Sequence, residues 1–205
     1  DAVTINPGLR EFNYEGSSYF DESTAAQDGT LTLNGSTKYA AVSGQILPSS
    51  AGGTFTVETW VKPSSLHSGN NYDTIFEFGQ TAASSANRFA LYSYNDGQIY
   101  LGYGNGGGMT NTDYLNPGTW THLAVKVNAG TATLYVNGNQ VAWENHYSAA
   151  TNVSVGSALY VGHTLNPSSI VYNWNGSISS LKIWNGALSD ESLKDYRTGR
   201  MSGSA

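Results

Sequence analysis

Carboxylate side chains are the first candidates for chemistry in this chain, because hydrolysis of a glycosidic bond needs two of them about 5 to 9 Å apart. Glu58 and Glu77 fall in strand-like runs, and Asp96, Asp113 and Glu144 fall at or near predicted turns. Nothing in their spacing brings two carboxylates together. We therefore expect solvated surface positions for these side chains and no hydrolase activity, so the chain is not predicted to be an enzyme.

Metal ligands are the second set of candidates. The histidines of the chain are His67, His122, His146 and His163. None lies three to five residues from another, the usual spacing of zinc ligands, so no zinc site is expected. Calcium prefers carboxylate and carbonyl oxygens, and the segments around Asn71, Asp73 and Asp96 are rich in them. These three residues are the predicted calcium ligands, with turn formation as the alternative role of such side chains.

Tyrosines beside amide side chains are the most promising candidates for ligand binding. Their rings stack on the apolar faces of sugars, and neighbouring Asn and Asp side chains bond to hydroxyl groups. The candidate ligand-binding residues are Tyr92, Tyr94, Asn95, Asp96, Tyr103, Asn105, Tyr172 and Trp174. Tyr92, Tyr94 and Trp174 are predicted to be exposed rings, with Tyr100 on the neighbouring strand. The alternative is that such rings cover a sheet or meet a neighbouring subunit, since tyrosine packs well on strands.

Composition excludes several classes of partner. The net charge is −6, and the nine Lys and Arg residues form no patch, so nucleic acid is not an expected partner. No apolar run approaches the ~20 residues of a membrane span, so membrane insertion is not expected. There is no cysteine, and therefore no disulfide. The segment Asp1-Ala2-Val3-Thr4 is not a signal peptide, which leaves open a removed leader, a domain cut from a longer chain, or another export route.

Alternating hydrophobicity places the candidate residues on strands that bury one face. Phe55, Val57 and Val61 share a face in one run, and Leu123 and Val125 share a face in another. About eleven short strands are predicted at the spacing typical of a β-sandwich. The residues expected to point between two sheets are Phe55, Val57, Leu123, Val125, Leu134, Val136, Leu159, Val161, Leu181 and Ile183.

Turn residues join these strands into hairpins. Asn137-Gly138 predicts a two-residue turn, because both positions of such a turn need a positive φ. Asp96-Gly97 predicts a second hairpin of the same kind, and Asn128-Ala129-Gly130 predicts a third. One short helix is expected after Ser189, whose side chain can cap it. Leu193 should then face the sandwich.

Four segments in register carry a family resemblance. They are Leu31–Val42, Phe55–Pro63, Gly118–Gly138 and Trp174–Ser189. Together they resemble laminin G-like domains of the concanavalin A-like lectin/glucanase superfamily, over about residues 30 to 197. His122 falls in the Trp-x-His stretch of that pattern, where a structural hydrogen bond is expected. Ser179-Ser180 stand where the pattern has Asp-Glu, so that strand supplies no charged ligand for calcium.

The resemblance implies an all-β fold, a two-sheet antiparallel jelly-roll sandwich with one short C-terminal helix. The length of 205 residues suits a single domain of this kind over residues 1–205. Residues 1–29 would form an N-terminal arm or edge segment, residues 30–197 the core, and residues 198–205 a tail.

The family mostly binds glycans, proteins or matrix components outside the cell. Its hydrolases carry Glu-x-Asp-x-x-Glu or Glu-x-Asp-x-Glu, and this chain contains neither pattern. We therefore expect a non-catalytic binding or adhesion module, extracellular or on the cell surface, with a glycan or a matrix component as partner. The alternative is a self-assembling structural subunit, such as a phage capsid decoration protein, a tail protein or a surface filament, which would place it in a virion or on a cell surface.

Overall fold

Strands that alternate apolar and polar side chains pair into two sheets, which bury their apolar faces against each other. The computed structural model describes residues 2–5, 30–43, 54–79, 89–103, 106–129, 131–145, 158–164 and 171–194. Two antiparallel sheets and one short helix make up these residues. The predicted all-β fold class is confirmed.

The strands are short and numerous. In chain order they are β1 (Ala2–Ile5), β2 (Thr30–Asn34), β3 (Ala40–Ser43), β4 (Phe55–Pro63), β5 (Tyr72–Gly79), β6 (Phe89–Tyr94), β7 (Gln98–Tyr103), β8 (Gly106–Thr110), β9 (Thr121–Asn128), β10 (Thr131–Val136), β11 (Asn139–Gln140), β12 (Trp143–Asn145), β13 (Ala158–Val161), β14 (Val171–Asn173) and β15 (Asn175–Trp184). The described residues thus hold 15 strands, more than the eleven expected. Strands such as β11 and β14 have only two or three residues, too few for alternation to reveal them.

Each sheet has a simple order. The seven-stranded sheet runs β1-β15-β4-β9-β10-β11, with β2 also paired to β15. The eight-stranded sheet runs β12-β8-β7-β6-β5-β13-β3, with β14 paired in parallel to one end of β5. We call the side of each sheet that points away from the core its outer face.

The core between the sheets contains every residue that the alternation predicted. The ten predicted residues are all buried, with at most 4% of their surface exposed. The eight-stranded sheet adds further core residues, among them Phe76, Phe78, Phe89, Leu91 and Leu101. The ring of Phe55 meets the ring of Phe89 edge to face at 5.2 Å, so the two sheets interlock through aromatic contacts.

The turns agree with the sequence except at one hairpin. Asn137 and Gly138 have φ values of 50° and 76° and join β10 to β11 as the predicted two-residue turn. The turn between β6 and β7 is longer than predicted, because Tyr94 pairs with Gln98 and leaves three residues, 95–97, in the loop. All three have positive φ, and a Cβ on Gly97 would lie 2.3 Å from a backbone oxygen. Glycine is therefore required there.

The last strand, β15, contains a bulge at the two serines that replace the acidic pair of the family pattern. Its register against β4 shifts between Ser179 and Lys182, and Ser180 has a φ of 51°. The extra residue interrupts the alternation, so that Ile178 and Leu181 both face the core. The two serines thus lie at the bulge, where the strand bends.

The short helix covers residues 190–194 among the described residues. The backbone N–H of Ser192 donates to the hydroxyl of Ser189 at 3.1 Å, which confirms the predicted cap. Leu193 is buried against Ala124 and Tyr135 on the outer face of the seven-stranded sheet. No helix within the described ranges is long and apolar enough to cross a membrane.

Asp190 ties the helix to the sheet. Its carboxylate accepts hydrogen bonds from Lys126 Nζ and Tyr135 Oη, both at 2.7 Å. The bond from Lys126, followed by that from Tyr135, lowers the pKa of Asp190. Burial lowers the pKa of Lys126, but the hydrogen bonds of Lys126 with Asp190 and Tyr135 outweigh this effect. The pKa of Lys126 is therefore raised. Burial, with the bond to Asp190, raises the pKa of Tyr135.

Replacing Leu134 by Ala should lower the free energy of unfolding by about 2 to 5 kcal/mol, because a cavity is left in a packed core. Leu134 is fully buried on β10, whereas Thr131 on the same strand is exposed. Thr131→Ala is therefore the matched control and should change stability little. Urea unfolding of the three proteins measures the difference. Equal midpoints for the two variants would contradict the strand register.

Replacing Asp190 by Asn should lower the melting temperature at pH 7 but not at acid pH. The folded pKa of Asp190 lies below its ordinary value of 3.8. Its stabilisation is therefore present above the ordinary value and is lost as the pH falls through the folded pKa. Melting curves of both proteins between pH 7 and pH 2 should converge at the acid end. A gap that stays constant with pH would show that the charge of Asp190 does not stabilise the docked helix.

Candidate functional site

The outer face of the eight-stranded sheet carries most of the predicted ligand-binding tyrosines. On β6, Phe89 and Leu91 face the core, while Tyr92 and Tyr94 lie on the opposite face, as the alternation predicted. Tyr100 of β7 lies opposite Tyr92 in the strand register.

Four rings from three adjacent strands form one group, which we call the tyrosine cluster: Tyr72, Tyr92, Tyr94 and Tyr100. The ring centre of Tyr72 lies 4.6 Å from that of Tyr94, 5.1 Å from that of Tyr100 and 5.8 Å from that of Tyr92. The contacts with Tyr92 and Tyr100 are edge to face, the geometry that aromatic pairs prefer. The rings therefore hold one another in place.

The prediction that Tyr92 and Tyr94 are exposed rings is wrong. Only 3% of Tyr92 and 9% of Tyr94 is exposed, because Tyr72 and Tyr100 pack against them from the two neighbouring strands. Tyr72 and Tyr100 are half-buried and present the accessible part of the cluster. Gly107 on β8 makes room for this packing, since a Cβ there would lie 2.2 Å from the Tyr100 hydroxyl.

Tyr72 is the cluster member that the sequence pattern did not reveal. The register of β5 against β6 shifts between Thr74 and Phe76, and Ile75 and Phe76 both reach the core. This bulge breaks the alternation along β5, so the face of Tyr72 cannot be read from its spacing. A bulge leaves no clear signal in a single sequence.

Amide side chains border the tyrosine cluster. The Tyr94 hydroxyl donates to Asn70 Oδ1 at 2.9 Å. Asn95 and Asp96 follow directly in the turn after β6, where Asn95 Nδ2 lies 3.4 Å from Gln98 Oε1. The structure thus brings Tyr92, Tyr94, Asn95 and Asp96 of the predicted site together.

The remaining predicted ligand residues lie elsewhere. Trp174 was expected to be an exposed ring, and this is wrong: it is fully buried in the core between β14 and β15. The Tyr172 ring is half-buried and stacks on the His67 ring at 4.0 Å. Tyr103 ends β7, but its side chain lies outside the described residues, as does Asn105 altogether.

The contacts of Asp73 do not fit a calcium ion at this residue. Asp73 is buried, and its Oδ1 pairs with His67 Nδ1. Its Oδ2 accepts hydrogen bonds from the His67 backbone N–H and the Ser93 hydroxyl, both at 3.1 Å. Asn71 Nδ2 bonds to the Ser68 carbonyl, and Asp96 is exposed on the turn. Within the described ranges, no three His, Asp or Glu side chains come close enough to share a metal ion.

The expectation of solvated surface positions is wrong for Glu58 and Glu77, which are buried on opposite outer faces of the sandwich. Glu58, on the seven-stranded sheet, bonds to His122 Nε2 at 3.0 Å and accepts from Trp184 Nε1 at 3.1 Å. Glu77, on the eight-stranded sheet, accepts from the Thr164 hydroxyl at 3.3 Å. Because packed sheets lie about 10 Å apart and these side chains point outwards, the two carboxylates cannot flank one glycosidic bond.

A family model matches residues 34–194 of the chain and is described as the concanavalin A-like lectin/glucanases superfamily. The match covers most of the chain, and its laminin G-like model agrees with the two-sheet sandwich. The chain belongs to this family. A comparison with curated protein sequences found no match.

Solved structures show the same fold at low sequence identity. Domain 4 of AbnA, a GH43 extracellular arabinanase from Geobacillus stearothermophilus, in complex with arabinotriose, is similar with a TM-score of 0.59 and 22% identity, over 81% of this chain and 75% of that one. The Ruminococcus gnavus IT-sialidase CBM40 bound to α2,3 sialyllactose gives 0.53 and 19%, over 72% and 84%. The botulinum neurotoxin serotype D binding domain gives 0.60 and 16%, over 98% of this chain. This chain spans 47% of the length of that toxin domain.

A melting experiment tests the calcium site that the sequence predicts. A bound ion must raise the melting temperature, since it binds the native state alone. Because Asp73 is already occupied by hydrogen bonds, we expect the same melting temperature in calcium and in chelator. A higher melting temperature in calcium that Asp96→Asn abolishes would instead establish a site on the turn.

Proposed function

We propose that the chain is a non-catalytic glycan-binding module that acts outside the cell or on its surface, with the tyrosine cluster as its ligand face. The observation that carries this proposal is the grouping of four tyrosines from β5, β6 and β7 on one outer face, bordered by amide side chains. Aromatic rings with amide neighbours are the usual lining of a sugar site.

Tyr72 and Tyr100 are the residues that can contact a sugar directly, because they are the partly exposed members of the cluster. Tyr92 and Tyr94 lie beneath and between them and keep their rings in position. Asn70 is exposed at the edge, and Asn95 and Gln98 are half-exposed. Their amide groups can both donate to and accept from sugar hydroxyls.

The charges near the cluster favour an uncharged glycan. Asp96 and Asp113 are exposed beside Gly97, at the end of the cluster. The lysines of the described residues lie elsewhere: Lys62, Lys126 and Lys182 are on strands of the seven-stranded sheet, Lys194 is on the helix, and Lys38 precedes β3. A sialylated or uronic saccharide would meet negative charge at the cluster without a described lysine to offset it.

Two further observations support binding rather than catalysis. Similar sandwiches have been solved with arabinotriose and with sialyllactose, which supports a glycan as the ligand of this fold. The buried glutamates Glu58 and Glu77 lie on opposite faces, so these two cannot act as the paired carboxylates of a hydrolase. The described contacts give no specific support to a self-assembling subunit, and the experiment below includes that outcome.

Tyr72→Ala should weaken glycan binding about fivefold or more, because one ring contact with a sugar is worth about 1 kcal/mol. The experiment applies the chain to an array of neutral and sialylated oligosaccharides and measures the affinity of each hit by calorimetry. Trp120→Ala is the matched control, a half-buried ring next to Lys62 of the seven-stranded sheet. It should leave the affinity unchanged.

Three results would contradict the proposal. Absence of binding to every glycan, together with stable oligomers by light scattering that Tyr72→Ala dissociates, would identify the cluster as a subunit contact. Preferential binding of sialylated over neutral glycans would overturn the charge argument. Release of reducing ends from a bound glycan, above a heat-treated control, would overturn the non-catalytic part.

A further inference from the structure

The connection between β4 and β5, residues 64–71, runs beside the tyrosine cluster; we call it the His67 loop. Its first residues are fixed on the seven-stranded sheet. Ser64 N–H donates to the Asn175 carbonyl at 2.9 Å, and Asn175 Nδ2 donates to the Ser65 hydroxyl at 2.8 Å. From there the chain crosses to the eight-stranded sheet, which it joins at Tyr72.

His67 fixes the middle of the loop through three contacts. Its backbone N–H and its Nδ1 bond to the two oxygens of Asp73, and its ring lies flat on Tyr172 with an angle of 8° between the planes. Asp73 is itself held by the Ser93 hydroxyl and is 2% exposed. A buried carboxyl group that accepts several hydrogen bonds is a firm anchor.

The outer part of the loop reaches the tyrosine cluster from this anchor. The Asp96 N–H donates to the His67 carbonyl at 3.5 Å, and the Asn95 N–H donates to the Asn71 carbonyl at 3.4 Å. Between these two contacts, Asn70 Oδ1 accepts from the Tyr94 hydroxyl. Since this oxygen is engaged, the NH₂ group of the exposed Asn70 side chain is the part suited to donate to a ligand.

We propose that His67 is a positioning residue of the ligand site: its bond to Asp73 holds the loop so that Asn70 stands beside the tyrosine cluster. The effect of His67 on glycan binding rests on the proposed function. Its effect on the loop rests only on the hydrogen bonds and the ring contact described above. His67 does not need to touch the glycan, because it acts on binding through Asn70.

Two substitutions separate the hydrogen bond of His67 from its ring contact. His67→Asn keeps a donor near the position of Nδ1 and loses the stacking on Tyr172. His67→Phe keeps a flat ring and loses the donor to Asp73, which leaves a buried carboxylate oxygen without its partner. If the bond is what positions the loop, only His67→Phe should disturb it.

Hydrogen exchange of individual backbone amides tests the loop without any ligand. In His67→Phe, the amides of Asn95 and Asp96 should exchange about tenfold faster, because their acceptors lie in the loop, and His67→Asn should stay close to the wild type. Amides of β9 and β10 provide the internal control, since they belong to the other sheet. Unchanged exchange of Asn95 and Asp96 in His67→Phe would overturn the proposal.

A double-mutant cycle tests the effect on binding, with arabinotriose as an uncharged probe. His67→Phe and Asn70→Ala should each weaken binding about threefold to tenfold, and the double variant should be no weaker than Asn70→Ala alone. Multiplying losses would overturn the claim that His67 acts through Asn70. If the wild type binds neither this probe nor any array glycan, the proposed function and the binding part of this inference both fail, while exchange still decides the role of His67 in the loop.

Discussion

Burial of the two inward faces against each other is the constraint on which the rest of the structure depends. Each strand that turns an apolar residue inwards must turn the next residue outwards. The core therefore determines which residues lie on the two outer faces. On β6, the inward positions of Phe89 and Leu91 dictate the outward positions of Tyr92 and Tyr94. The same rule sends Glu58 and Glu77 to opposite sides of the molecule. Packing of the core is thus the reason that Glu58 and Glu77 do not form a carboxylate pair.

Two bulges modify this rule, and the one in β5 shapes the candidate site. The bulge at Ile75 returns Tyr72 to the outer face, beside Tyr94, after Phe76 and Phe78 have faced the core. The bulge at Ser180 lets β15 keep its inward residues while its register against β4 changes. A bulge bends its strand and increases the local twist. The tyrosine cluster therefore depends on one extra residue in β5.

Alternation is the part of this structure that a single sequence reveals. Leu134 and Leu159 could be placed in the core because their neighbours repeat with a period of two over whole strands. Trp174 could not, because it stands between two strands, where no period applies, and its large ring fills the interior. Tyr72 could not, because the bulge intervenes. The His67–Asp73 bond could not, because it joins a loop to a strand through side chains whose spacing carries no periodic signal.

This arrangement makes the tyrosine cluster rigid. The rings of the cluster are carried by paired strands and pack on one another, so little side-chain freedom remains to be lost when a ligand binds. Asn70, by contrast, is on a loop, where affinity would suffer unless that loop were fixed. The buried carboxylate of Asp73 lies at the strand position directly after Tyr72, and through His67 it fixes the loop that holds Asn70. One strand, β5, thereby carries both a ring of the tyrosine cluster and the anchor of the loop at its edge, which ties the proposed ligand site to the core.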